Sequence, residues 1–494
     1  MLRGTLALLL TAWYFSATSQ SLQFSRITVP SDFEGSRGVA FGDADTDGEW
    51  DIVVANTLSD QSPQASPIYL NGKNFEKQFI SGDKSFWNES VNLIDVDNDG
   101  DLDAFFVTQF DQVNPLYLND GKGGFTKSAK GDLSKNQTNS PGACWCDFDR
   151  DGDLDVFVVN RDGADDQLYV NDNKGKLDLI TSGPWIGNKG DGRSCAWGDL
   201  DGDGWPDLYV TNFVVKENGE VVDSHRNYLY LNKAGKFEEV KTGIHVEEKS
   251  ATYGVAFIDI DYDRDIDIYI TNVSSRTGNA LYVNDGYGNF VKPESPLTDF
   301  TNRPSKGQTW GDFNNDGFLD VYIANGTEGY PEIQNYLFLS EASGSFRRIY
   351  DLLSVVDAHI SAGTASADID QDGDLDIYVC NWGGDGEQND LYRNETNPGN
   401  WIKFRLRGSK ANSFGIGCWV IIETDLGTQT RYHYPQTGYG SQNGPEVHFG
   451  LGSATSAMSI TVIWPSGETQ NFQNISGNRT YEVKENKNQL SVVK

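Results

Sequence analysis

A nine-residue pattern, with carboxylates at positions 1, 3, 5 and 9 (Asn314 in one copy) and glycine at position 6 (Arg264 in another), returns seven times along this 494-residue chain. The copies begin at Asp43, Asp95, Asp147, Asp199, Asp259, Asp312 and Asp368, so successive steps are 52, 52, 52, 60, 53 and 56 residues. Self-similarity at that period marks a repeat architecture. The flanks repeat as well. A short apolar run such as Gly38-Val39-Ala40-Phe41-Gly42 leads into the loop, and a β-branched and aromatic run such as Leu208-Tyr209-Val210-Thr211-Asn212 leaves it. Both read as strands. Further on, each unit carries a hairpin cue of the type Asn279-Ala280-Leu281-Tyr282-Val283-Asn284-Asp285-Gly286 running to Phe290, whose Asn-Asp-Gly supplies positive-φ turn residues.

Four antiparallel strands per unit of about 50 residues predict an all-β fold, a seven-bladed β-propeller. The seventh unit lacks its outer strand after Leu391-Tyr392-Arg393-Asn394, and Phe24-Ser25-Arg26-Ile27-Thr28-Val29 resembles the outer strand Phe75-Glu76-Lys77-Gln78-Phe79-Ile80 of the first. The expectation is a propeller over residues 22–396, closed by the N-terminal strand, which removes exposed sheet edges. An open β-solenoid is the alternative. Residues 397–494 alternate apolar and polar side chains, as in Trp401-Ile402-Lys403-Phe404-Arg405-Leu406, and read as a small, compact β domain.

The loops carry the chemistry. The side chains assigned are Asp43, Asp45, Asp47 and Asp51; Asp95, Asp97, Asp99 and Asp103; Asp147, Asp149, Asp151 and Asp155; Asp199, Asp201, Asp203 and Asp207; Asp259, Asp261, Asp263 and Asp267; Asp312, Asn314, Asp316 and Asp320; and Asp368, Asp370, Asp372 and Asp376. Hard oxygen ligands at this spacing, with a backbone carbonyl at position 7, suit calcium better than magnesium, which wants a tight octahedron. Without histidine or cysteine in the set, zinc and copper are not expected. Four like charges in one turn repel unless a cation lies among them; the bland alternative is a solvated turn. Up to seven calcium ions are expected, and seven would add +14 to a net charge of −33, leaving −19. Loop 5 (259–267) is expected to be the weakest, since Arg264 replaces the glycine.

An acidic balance of this size argues against nucleic acid, which needs lysine and arginine to displace counterions. Met1 to Ser21 reads as a secretory signal, with Arg3, an apolar run from Leu6 to Phe15 and a small-residue site at Ala17-Thr18-Ser19. No later segment has the 18 or so apolar residues of a membrane helix, and no lipid-anchor tail is expected. A secreted, monomeric protein follows. Five cysteines are too few for a stapled framework. Cys144 and Cys195 fall one residue apart in register on the first strands of adjacent units, so a disulfide between them is one reading and buried free thiols the other. Sequons at Asn88, Asn136, Asn272, Asn325, Asn394, Asn474 and Asn478 permit glycosylation.

The repeats resemble the FG-GAP/VCBS repeats of integrin α-subunit heads and many secreted proteins, whose Asp-x-Asp-x-Asp-Gly loops hold calcium. From about Asn397 the chain resembles the ASPIC/UnbV domain, on Gly415-Ile416-Gly417, Gly438-Tyr439-Gly440-Ser441-Gln442, His448-Phe449-Gly450-Leu451-Gly452 and Trp464-Pro465-Ser466-Gly467. Cys418 and Phe414 depart from that pattern. The pairing resembles the cartilage acidic protein family and its bacterial relatives. The EGF-like module that ends the animal members is not expected here. The resemblance implies a secreted, calcium-binding, matrix-type protein.

No catalytic constellation stands out: the five histidines lie apart, and no Gly-x-Ser-x-Gly or His-Glu-x-x-His occurs. His448 is expected to pack or hydrogen-bond. The reading is a non-enzymatic matrix or adhesion protein that binds an extracellular protein or glycan through a propeller face. Alternatives are a lectin-like module, marked by aromatic pockets between blades, or a carbohydrate-active lyase or dehydratase on a calcium propeller.

Overall fold

The computed structural model describes residues 22–30, 35–57, 65–81, 86–217, 220–273, 277–298, 303–327, 333–383, 387–396 and 399–493. The signal-like segment 1–21 lies outside them. Strands dominate, and the helices among the described residues are Ile244–Glu247, Leu353–Val356 and one 3-10 turn.

Seven antiparallel sheets follow the repeats. Their first strands are Ser36–Gly42, Asn88–Ile94, Gly142–Cys146, Gly192–Gly198, Thr252–Ile258, Ser305–Gly311 and Ser361–Ala367. Their second strands are Asp51–Asn56, Asp103–Thr108, Asp155–Val159, Asp207–Asn212, Asp267–Asn272, Asp320–Asn325 and Asp376–Asn381. Each Asp loop is therefore the connection from first to second strand, and position 9 opens the second strand. Sheet 7 takes its outer strand from the N-terminus, where Phe24–Ile27 pairs with Leu391–Asn394.

Strand alternation decides how the sheets stack. In the second strand of sheet 1, Ile52 and Val54 point into a core shared with sheet 7, beside Tyr378, Cys380 and Leu391. Val53 and Ala55 point the other way, into a core shared with sheet 2, beside Val91, Leu93 and Phe106. Both faces are buried, which is why these strands read as unbroken apolar runs. The same sandwiching recurs between sheets 2 and 3, 3 and 4, 4 and 5, 5 and 6, and 6 and 7. Cys144 and Cys195 are bonded (Cα–Cα 5.7 Å), joining the first strands of sheets 3 and 4; Cys146, Cys380 and Cys418 are buried free thiols.

Residues 399–493 form two further four-stranded sheets around their own core, which includes Ile402, Phe404, Val420, Phe449, Ile460 and Trp464. This domain packs directly on the seven sheets. Its hairpin Gln436–Thr437/Ser441–Gln442 extends sheet 1 and reaches the first strand of every sheet. Ser441 Oγ accepts from Val39 N at 3.4 Å, and the Gln442 amide accepts from Leu93 N at 3.1 Å and donates to Leu93 O at 2.9 Å. Gln436 Oε1 accepts from Trp145 N at 2.8 Å. Gly438 O accepts from Ser194 Oγ at 3.0 Å and Val255 N at 3.2 Å. Thr437 Oγ1 donates to Gln308 O, and Asn443 Oδ1 accepts from Ser366 N, both at 2.9 Å. The fit is tight: a Cβ on Gly38 would lie 2.1 Å from Gly440 O, and one on Gly363 3.0 Å from Tyr439 O.

Four of the seven sequons lie where a glycan has no room. Asn88, Asn272, Asn325 and Asn394 are buried, and their amides donate to Ser66 Oγ, Gly278 O, Gln334 O and Phe313 O. Asn474 and Asn478 are exposed and Asn136 half-buried. A sequon is a local pattern, whereas burial is set by distant strands.

Candidate metal centre

Each loop is folded by its own carboxylates. Position 1 accepts the position-6 N–H in all seven loops, at 2.7–3.1 Å. Position 5 accepts the position-7 N–H at 2.9–3.2 Å. The position-9 carboxylates Asp51, Asp103, Asp207, Asp267, Asp320 and Asp376 accept from position 2 with one oxygen. With the other, all seven position-9 carboxylates accept from a backbone N–H at or just past the end of the third strand of their sheet (Asn71, Asn119, Asn171, Asn232, Asn284, Ser340 and Asn394), at 2.8–2.9 Å. Position 9 is thus a structural pin as well as an assigned ligand. Two residues per loop adopt positive φ: position 4, as at Asn98 (56°) and Tyr262 (64°), and position 6. Arg264 takes that conformation at φ 79° with a side chain that disfavours it, as its sequence position implied.

After these bonds some oxygens have no partner. Asp43, Asp147, Asp259 and Asp368 at position 1, and Asp45, Asp97, Asp149 and Asp201 at position 3, each keep a buried, unpartnered Oδ1. One oxygen from each of Asp43, Asp45 and Asp51 lies within 4.8 Å of the others; so do Asp147, Asp149 and Asp155. In loops 2, 4 and 5 the groups so gathered are Asp95, Asp97, Asp99; Asp199, Asp201, Asp203; and Asp259, Asp261, Asp263. In loop 6 the carboxylates are satisfied internally, with Asn314 Nδ2 donating to Asp316 Oδ2 at 2.9 Å.

Burial, and then mutual repulsion, makes these groups poor anions on their own. Desolvation raises Asp51 and Asp147 to about 7 and Asp103, Asp207 and Asp267 to about 8. Orphaned, crowded, oxygen-only donors fit a hard divalent cation. Positions 1, 3, 5 and 9 would hold it, and it would neutralise charge the fold has already desolvated.

The third-strand asparagines tie neighbouring loops together. Asn119, Asn171, Asn232 and Asn284 each donate to the position-2 carbonyl of the preceding loop, at 2.7–2.9 Å, and to their own loop's position-8 carbonyl, at 3.0–3.2 Å. Asn394 does likewise for loop 6, and Asn71 of sheet 1 donates to Ile369 O in loop 7. Ser340 stands at this place in sheet 6, so loop 5 lacks the amide link. In sequence, Asn284 shows only as part of the Asn-Asp-Gly turn.

The C-terminal domain covers this loop face. Lys403, 1% exposed, pairs with Asp368 at 2.6 Å and Glu446 at 2.8 Å. Thr430 donates to Asp259, and Gly450 N to Asp312 Oδ2 at 3.1 Å. His448 Nε2 lies 3.0 Å from Gly373 O. A carbonyl only accepts, so Nε2 carries the proton, and burial lowers this histidine to about 3. Its role is a hydrogen bond. The opposite ends of the first strands carry Arg37, which stacks 3.5 Å over Trp382, and Arg193 with Phe213 and Tyr253. Phe110, 59% exposed, stands at the far end of a second strand on the same side.

Comparison with known proteins agrees with this organisation. The FG-GAP-like repeat model matches residues 95–158, 147–210, 259–323 and 312–379, and the ASPIC and UnbV model matches 408–490. Cartilage acidic protein 1 of Xenopus tropicalis is 22% identical, covering 89% of this chain and 72% of its own length. The Homo sapiens protein of that name is also 22% identical, over 94% and 76%, and the Mus musculus one over 95% and 78%.

Proposed function

Given a chain that carries FG-GAP-like repeats and an ASPIC and UnbV domain, and that is homologous to cartilage acidic protein 1 over most of its length, we propose a secreted, calcium-stabilised adhesion-type protein without catalytic activity. Residues 22–396 are the seven blades of a propeller closed by the N-terminal strand, and 397–494 a capping β domain. The cores between all successive sheets, with sheet 7 packed on sheet 1, support that closure. The 27 aspartates and Asn314 assigned above are the calcium ligands, in up to seven sites. The unpartnered position-1 and position-3 oxygens support this assignment.

The observation that carries the reading is that the C-terminal domain occupies the loop face and its hairpin touches all seven first strands. The opposite face, with the exposed Phe110 and the half-buried Trp382, is left to engage an extracellular protein or glycan. A cavity of about 130 Å³ at the domain junction is smaller than the roughly 300–1,000 Å³ of small-molecule sites, which favours binding over catalysis. The test is retention on an extracellular-matrix extract, with Phe110→Glu and with chelator. Both should abolish it. Retention indifferent to Phe110→Glu contradicts the face assignment, and turnover on a polysaccharide panel contradicts the non-enzymatic reading.

A further inference from the structure

Position 7 of the loops was assigned only a backbone carbonyl. Its side chains are Glu49, Asp101, Asp153, Trp205, Asp265, Phe318 and Asp374, and in loops 3 and 7 the fold does something with them that the repeat does not require. Asp153 is 3% exposed and Asp374 1%. Asp153 Oδ1 and both oxygens of Asp374 are buried without a hydrogen-bond partner. Asp374 lies between Asp372 and Asp376 of loop 7, and Asp153 between Asp151 and Asp155 of loop 3. All are carboxylates of the same loop. A buried, unpaired carboxylate turned toward its own kind is among the costliest arrangements a core can hold, unless a cation is shared. Loops 4 and 6 offer no such group, having Trp205 and Phe318 there, and in loop 2 Asp101 keeps one unpartnered Oδ1 but is itself only half-buried.

We infer that Asp153 and Asp374 supply a fifth carboxylate to the cations of loops 3 and 7, making these two the tight sites of the set. The inference rests on the calcium reading above and adds a ranking to it, because calcium affinity follows the charge count of the ligands. It also separates two effects of opposite sign. With calcium bound, each carboxylate helps hold the ion; without calcium, each is a buried carboxyl group with oxygen left unpartnered.

The test uses the full chain and bound-calcium measurements by equilibrium dialysis over stepped free calcium. Wild type should show two ions in a tight class. Asp153→Asn and Asp374→Asn should each move one ion out of it, weakening that site on the order of tenfold, with the total at saturation unchanged. In chelator, both variants should melt above wild type. Asp374→Glu, which keeps the charge, should keep the tight ion, so a loss in the asparagine variant is not a folding defect. Variants that retain both tight ions overturn the inference alone. A wild type that binds no calcium overturns it together with the calcium reading.

Discussion

Replacing Gln442 with alanine tests whether the C-terminal hairpin holds the sheets together or merely lies among them. The Gln442 amide is 2% exposed and bonds both the N–H and the carbonyl of Leu93, at 3.1 and 2.9 Å. Truncation leaves those two buried backbone groups without partners, at about 1–3 kcal/mol each, so a loss of about 2–6 kcal/mol is expected. Gln473, exposed on the outer strand Thr469–Ser476, is the control, since such a surface change stays within about 0.5 kcal/mol. Urea unfolding followed by tryptophan fluorescence reads the stability, and amide exchange read by mass spectrometry reports on Leu93. The variant should lower the urea midpoint, speed exchange at Leu93 and leave Gln473→Ala like wild type. A midpoint shift no larger than the control's, or separate unfolding of the two domains already in wild type, refutes the reasoning.

The Cys144–Cys195 bond closes a loop with a sequence separation of 51, so Cys144→Ala/Cys195→Ala should cost about 4 kcal/mol under oxidising conditions; an unchanged midpoint contradicts this. Arg264→Gly frees a left-handed position from a side chain that is exposed, and should gain about 1 kcal/mol in saturating calcium and tighten loop 5, whereas a loss contradicts the strain argument. Burial lowers His245 to about 4, below its unfolded value of about 6.5. The unfolded chain binds that proton first, so this stability is complete above pH 6.5 and is lost as pH falls toward 4. His245→Phe should therefore reduce the loss between pH 7.5 and 5 by about 2 kcal/mol in denaturant titrations; an unaltered pH dependence would count against it.

What the sequence revealed, and what it hid, divides by range. The seven loops, the strands around them and the neighbouring places of Cys144 and Cys195 were legible because repeat spacing puts equivalent residues in equivalent places, whereas the bond between the two thiols was left open. Arg264 stood out for the same reason. The hairpin Gln436–Gln442 was quoted only as a family motif. Its glutamine, glycine and serine residues carry no hydrophobic period, and its partners such as Val39 and Leu93 lie some hundreds of residues away. The amide of Asn284 looked like a turn residue, and its bond to the preceding loop at Leu200 O depends on stacking that no local pattern encodes. The buried sequons misled in the opposite sense: Asn325-Gly326-Thr327 satisfies a local rule at a position that is 0% exposed.

Bound calcium per chain, measured on protein purified without chelator together with its melting in calcium and in EDTA, tests the central claim most directly. At free calcium about a hundredfold above Kd, each site contributes about 2.7 kcal/mol. Up to seven ions per chain and a melting temperature that falls by more than about 10 °C in EDTA are expected. Protein that carries no calcium and melts at the same temperature in EDTA contradicts the account.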